Sequence, residues 1–312
     1  MTDPRSAEAP EVLDALAVAC ESARRAVDPH LLELARLRLA TLLGGEDELS
    51  ARSWGPIADA QRSEIALWPT SSAFDDRERA ALALAEQFAI DVTGVLSGPL
   101  GTAFGALGDQ LGPFVQGLYL LDVGQRVAIV LGELFATTVS SDDWAWPGED
   151  SPIPADPMEA IMALLAATGR LQNVDPVVKE LVRLRGARIH ECRRCLSVRS
   201  VAAIDAGADE SLLGADDPSA VADLPESTRA ALALVDATFT GRPMLDVDLI
   251  ARLDSSFDHA ELVEIVSYLM RNACNKIPVS FGVDAAIVDE GFEFQIIDAT
   301  GETITVGDPS AN

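Results

Sequence analysis

Glu180 to Gly207 reads ELVRLRGARIHECRRCLSVRSVAAIDAG and holds the close cysteine pair of the chain, Cys192 and Cys195. Leu181, Leu184 and Ile189 recur at helical spacing, so the stretch opens as an amphipathic helix, with Glu180 at its start where a carboxylate suits the positive end of the dipole. Val198, Val201, Ala202 and Ile204 continue that spacing to Gly207, a helix stop. Two cysteines at the start of a helix and separated by two residues lie about one turn apart on one face, where they can share a disulfide. Helical amides there favour the thiolate. On this continuous-helix reading Arg199, four positions after Cys195 and seven after Cys192, shares their face.

The helix that leads into the pair occurs twice. Asp28-Pro-His-Leu-Leu-Glu-Leu-Ala-Arg-Leu-Arg38 and Asp175-Pro-Val-Val-Lys-Glu-Leu-Val-Arg-Leu-Arg185 agree at seven of eleven positions, at a constant offset of 147 (175 − 28 = 185 − 38). Each begins with an Asp-Pro, a cap followed by a first-turn proline. Arg79-Ala-Ala-Leu-Ala-Leu84 returns as Arg229-Ala-Ala-Leu-Ala-Leu234, and the helix around Asp122 to Leu131 pairs more loosely with that around Asp258 to Ser267. The chain is therefore an internal duplication. At the offset of 147, Gly45 stands opposite Cys192 and Glu48 opposite Cys195, while Glu33 matches Glu180 and Arg52 matches Arg199. The first copy repeats the scaffold without the thiols.

Between the copies, Ser140 to Pro157 carries four prolines and several acids and reads as a linker. This places a first helical unit at residues 1–147 and a second at 148–290. Residues 291–312 change character. Phe292 to Asp298 and Thr303 to Val306 alternate about a turn-forming glycine, the pattern of a short β-hairpin, which must pack on the helices or on another subunit to be stable.

Alanine and leucine dominate, aromatics make up 5%, and apolar residues recur at three and four positions, so the fold class is all-α. A formal charge of -27 opposes binding to nucleic acid or to an anionic membrane. The N-terminus lacks a signal pattern, and no run of about 18 uninterrupted apolar residues occurs, so a cytoplasmic location and no membrane contact are expected. In a reducing compartment a close cysteine pair is redox-active or metal-binding before it is structural. Zinc needs about four ligands, and only His190 lies beside the thiols, so no metal is expected. Cys20 and Cys274 read as small core hydrophobes.

Glu180-Leu-Val-Arg-Leu-Arg185, the twelve-residue step from Glu180 to Cys192, the pair Cys192-Arg-Arg-Cys195 and Ala206-Gly207 resemble the alkylhydroperoxidase D and carboxymuconolactone decarboxylase family. The likeness extends over most of residues 157–285. It implies two tandem alkylhydroperoxidase D-like helical domains in a pseudo-twofold arrangement, assembly into a homo-oligomer, and peroxidase or related redox chemistry on the two thiols. Members with peroxidase activity carry a histidine four positions after the second cysteine as a proton relay. Here that position is Arg199, which stays protonated and cannot act as a base.

The candidate catalytic residues are thus Cys195, Cys192, Glu180, Arg199 and His190. Exposure at a helix start favours Cys192 as the attacking thiol, whereas the family's relay geometry favours Cys195. Glu180 is either a base or a helix-start carboxylate paired with Arg183 or Arg185, and His190 either replaces the relay or is a bystander. The string Arg183, Arg185, Arg188, Arg193, Arg194 and Arg199 is either a salt-bridged helix face or an electropositive mouth. No nicotinamide or flavin motif is present, so no cofactor is expected, and electrons should come from a separate thiol or lipoyl carrier acting on a small-molecule substrate. A non-catalytic helical assembly or binding protein, or a decarboxylase-like lyase, are the alternatives.

Overall fold

A computed structural model describes residues 3–215, 224–286, 288 and 291–307. Helices dominate: α1 (Pro10–Ala26), α2 (Pro29–Leu43), α3 (Asp76–Ile90), α4 (Leu111–Leu134), α5 (Pro157–Gly169), α6 (Pro176–Ile189), α7 (Arg193–Leu196), α8 (Val201–Asp205), α9 (Glu226–Phe239), α10 (Val247–Ser256), α11 (His259–Ala273) and α12 (Lys276–Ser280), with shorter turns between them. The acids that give the chain its charge are used at helix starts. Asp28 accepts from the His30 amide and Asp175 from that of Val177, each with proline in the first turn. Asp75 with Glu78, and Asp258 with Glu261, close reciprocal capping boxes. Helix α6 begins at Pro176, so Glu180 lies inside it and does not open it: the Asp-Pro cap sets the start.

The matched helices make matched contacts. Helix α2 packs on α3 and α4, and α6 packs on α9 and α11; between the copies, α1 lies on α5 and α4 on α11. One cluster of buried side chains runs from Ala9 to Val279 through both copies, and Cys192 belongs to it. Helix α4 is its axis. Leu100–Leu134 is, among the described residues, the one helical stretch long and apolar enough to cross a membrane, yet 89% of its apolar window is buried against the protein itself. Ser140 to Pro157 is anchored: Trp144 is 1% exposed, and its indole lies so close to α4 that a Cβ on Gly124 would stand 2.8 Å from it.

The expected hairpin is present as β2 (Glu293–Ile297) antiparallel to β3 (Thr303–Val306), with Ile296 opposite Ile304. A third strand was not expected. β1 (Val198–Ser200) pairs parallel with β2, Val198 beside Glu293 and Ser200 beside Gln295. This corrects the continuous helix through Cys195 and Ile204. Ser197 returns its hydroxyl to the Arg194 carbonyl, its own carbonyl accepts from Glu293, and Ser200 caps α8 at Ala203. Serines that bond the nearby backbone, together with a non-local strand partner, override the apolar spacing.

The hairpin turn is fastened to α5 by backbone contact. Gly301 has φ +86°, and a Cβ there would fall 1.9 Å from the Ala166 carbonyl oxygen. Gly301→Ala should therefore cost about 1–3 kcal/mol from backbone strain alone and loosen the hairpin. Limited proteolysis should show new cleavage between residues 291 and 307; unchanged digestion would mean the turn is not held there.

Candidate functional site

Helix α6 ends at His190, and Glu191 turns into the left-handed region at φ 51°. That turn delivers Cys192 to the start of α7, where the Cys195 amide lies 3.3 Å from Cys192 Sγ. The two sulfurs are within bonding distance, with Cα atoms 5.3 Å apart, as a disulfide requires. The loop is held from the far end of the chain: Asp284 accepts the Arg193 amide at 3.0 Å and, through its carbonyl, the Arg194 amide at 2.9 Å. Exposure is the reverse of that expected from position in the helix. Cys192 is 1% exposed, whereas Cys195 is half-buried and is the more accessible sulfur.

Glu180 sits beneath the loop rather than in it. Its carboxylate grips Arg183 at 2.7 Å through both oxygens and accepts the Ser200 amide at 3.1 Å. Arg183 then donates to the carbonyls of Cys195 and Val198 at 2.7 and 2.8 Å. Burial works against the Arg183 charge, but the Glu180 contact outweighs it and holds its pKa above the ordinary arginine value. The first copy repeats the arrangement. Glu33 binds Arg36 at 2.8 and 2.9 Å, Arg36 donates to the Glu48 carbonyl, and the Trp54 amide reaches Glu33 at 2.9 Å. The Glu-Arg pair is thus a brace for the loop after the helix, and it persists where the loop carries no thiol.

Arg199 lies on β1 and is not among the residues that line the cavity at the sulfurs. It is 4% exposed, bonds Glu210 at 2.7 and 2.9 Å, and covers the Phe292 ring at 3.6 Å. Its counterpart Arg52 covers Trp146 at 3.9 Å, so the stacking belongs to the repeat. The shared helix face expected for Arg199, Cys195 and Cys192 does not form, because the helix is broken at Ser197. Most of the arginine string is likewise salt-bridged: Arg185 pairs with Asp236 and Arg193 with Asp284, and exposed Arg194 stands at the cavity rim.

His190 is 5% exposed, with Nδ1 2.8 Å from Asn275 Oδ1 and its ring edge-on to Phe239. Burial, reinforced by the Lys276 charge, pushes its pKa down to about 3, so it is neutral at ordinary pH.

A cavity of about 370 Å³ opens on the cysteine pair. It is lined from α5, α6, α7, β1, α11, α12 and the hairpin. Tyr268, Arg271, Asn272, Cys274 and Asn275 all line it. None has a spacing relation to Cys192 that sequence alone could expose. Burial keeps the Tyr268 phenol protonated and pushes the Cys274 thiol up to about 12. Cys20 is fully buried, also with a thiol near 12. In the first copy a cavity of about 340 Å³ borders Gly45 and Glu48, the residues opposite the cysteines. Among the described residues no cluster of histidine, cysteine and carboxylate side chains suits a metal ion.

No family model matches the chain, and no solved structure matches it. Two curated relatives do, both uncharacterized proteins of Mycobacterium tuberculosis, one from strain H37Rv and one from strain CDC 1551. Each is 36% identical over 228 residues, covering 70% of this chain and 78% of the relative. At that identity over that span, the chain belongs to the same family as these mycobacterial proteins.

Proposed function

We propose that the protein is a dithiol oxidoreductase of the alkylhydroperoxidase D-like kind, built from two tandem helical copies of which the second carries the chemistry. The observation that carries this reading is the bonded pair Cys192 and Cys195 with its accessible sulfur facing a cavity. Cys195 thiolate attacks the terminal oxygen of a hydroperoxide. The O–O bond breaks, the alcohol leaves with one added proton, and Cys195 is left as a sulfenic acid. Cys192 thiolate then attacks that sulfur, water is lost, and the disulfide forms. Two electrons from a separate thiol or lipoyl carrier return the pair to dithiol.

The geometry divides the roles. Cys195 is the sulfur that a peroxide or a reductant can reach, and Cys192, beside the Cys195 amide, is the better-stabilised thiolate when the disulfide is opened at Cys195. Tyr268 supplies a protonated hydroxyl in the cavity wall. Glu180 and Arg183 act as a brace, and His190 acts by holding Asn275.

Of the four cysteines, mild treatment with tert-butyl hydroperoxide should remove two titratable thiols per chain, restored by dithiothreitol. Cys20 and Cys274 should keep theirs, because a thiol near 12 is almost wholly un-ionised at neutral pH. Cys192→Ser should leave a sulfenic acid trappable by dimedone at Cys195, and Cys195→Ser should leave none. No loss of thiols in the parent protein would favour a non-catalytic helical binding protein instead.

A further inference from the structure

Arg271 is the anomaly of the cavity. It is 8% exposed, and burial draws its pKa below the ordinary arginine value. Every other buried lysine or arginine among the described residues has a carboxylate in contact: Arg5 with Asp3, Arg24 with Glu21, Arg36 with Glu33, Arg126 and Lys276 with Asp122, Lys179 with Glu264, Arg183 with Glu180, and Arg199 with Glu210. Among the described residues, Arg271 donates only to neutral oxygens, the Leu165 and Gly301 carbonyls and the Thr303 hydroxyl. Those three bonds fix the guanidinium between α5 and the hairpin turn and leave two of its five N–H donors. The next residue, Asn272, also lines the cavity, and its Nδ2 has no hydrogen-bond partner.

An uncompensated buried cation is costly, and a protein that pairs its other buried cations with its own acids has left this one open. Met158, Leu165, Val198, Ile277, Pro278 and Ile297 give the wall an apolar part beside its polar residues, and the same cavity reaches the sulfurs. We propose that this cavity binds a molecule with a carboxylate on an apolar chain, the carboxylate seated on Arg271 and Asn272 and the chain directed toward Cys195. Of the arginines that line the cavity, Arg183 is paired with Glu180 and Arg194 is exposed at the rim, so Arg271 is the buried cation left to meet an anion, and a planar guanidinium with two free donors matches a carboxylate. This deepens the dithiol reading and rests on it for the chemistry: the substrate class becomes a carboxylic acid that bears a hydroperoxide on its chain. Arg271 is a specificity-determining residue here, since it touches the substrate away from the reacting oxygen.

The test uses the full reduced chain with octanoate and 1-octanol as probes in titration calorimetry. Octanoate should bind at least about tenfold more tightly than 1-octanol, and Arg271→Met should remove that preference while leaving 1-octanol unchanged, as expected for loss of a charge-assisted pair. Equal binding of the two probes by the parent protein, or an unchanged octanoate affinity in Arg271→Met, would overturn the proposal. Should that variant not fold, the parent protein still decides: octanoate should slow iodoacetamide alkylation of Cys195 and 1-octanol should not, and equal effects would overturn the proposal. Oxidation by tert-butyl hydroperoxide is read separately. Two thiols oxidised without selective octanoate binding refutes the carboxylate site and leaves the dithiol chemistry. Selective octanoate binding through Arg271 without thiol oxidation supports the carboxylate site and refutes the dithiol chemistry.

Discussion

Glu180→Gln is expected to lower the unfolding free energy by about 3–5 kcal/mol, the usual cost of leaving one member of a buried ion pair without its partner. Glu180 is 2% exposed and Arg183 is 7% exposed, so little water is available to take the place of the carboxylate. The amide side chain can satisfy at most part of the contact that both carboxylate oxygens now make. Glu33→Gln in the first copy is a built-in comparison, because Glu33 and Arg36 are both fully buried and the loop after their helix carries no cysteine. Glu33→Gln should lose less stability in guanidinium denaturation than Glu180→Gln, because Arg36 keeps the Glu48 carboxylate at 2.7 Å. Replacing both partners, as Glu180→Leu with Arg183→Met, should recover much of the loss. The Cys195 loop should then lose its anchor at the Cys195 and Val198 carbonyls, and alkylation of Cys195 should speed up. A Glu180→Gln protein within about 1 kcal/mol of the parent, with only its pH-rate profile altered, would instead make Glu180 a base.

The brace also shows what sequence could and could not disclose. The duplication was legible because its carriers are local: the Asp-Pro cap, the Glu and Arg three apart on one helix, and the offset that repeats them. The copy without the cysteine pair already hinted that Glu180 has a structural use, and the matching hydrogen bonds of Glu33 account for that hint. The break at Ser197 was not legible from spacing, since Val198, Val201 and Ile204 are as regular as a helix would demand. Its causes are a strand partner at Glu293 and a cap at Ser200, and only the second leaves a local trace, as a serine three residues before a helical amide. Arg199 was misplaced for that reason, and its partner Glu210 lies beyond Gly207, where the spacing argument had stopped. The cavity wall was the least accessible part. Arg271 becomes notable only when its surroundings show that no carboxylate among the described residues meets it, which no property of residue 271 or its sequence neighbours can reveal.

His190 carries the second large expected effect, on stability as a function of pH. In the unfolded chain its imidazole titrates near 6.5, whereas burial and the nearby Lys276 charge lower it to about 3 in the fold. Above pH 6.5 the ring is neutral in both states, and its contribution to stability is fully present. As pH falls below 6.5 the unfolded chain gains a proton that the folded chain refuses, so stability is lost at about 1.4 kcal/mol per pH unit until the folded value is reached. Between pH 7 and pH 5 the loss from this residue should be about 2 kcal/mol. The surrounding charges do not confuse the window: Asp122 is held ionised, its pKa lowered by Arg126 and Lys276 against the effect of burial. His190→Gln keeps a polar side chain toward Asn275 without the titrating ring. Guanidinium denaturation at pH 7 and pH 5 should therefore show the parent protein losing about 2 kcal/mol more than the variant over that interval. Parallel losses would mean that the ring takes up its proton in the fold, and would return His190 to consideration as a proton relay, because a relay needs a pKa near the operating pH.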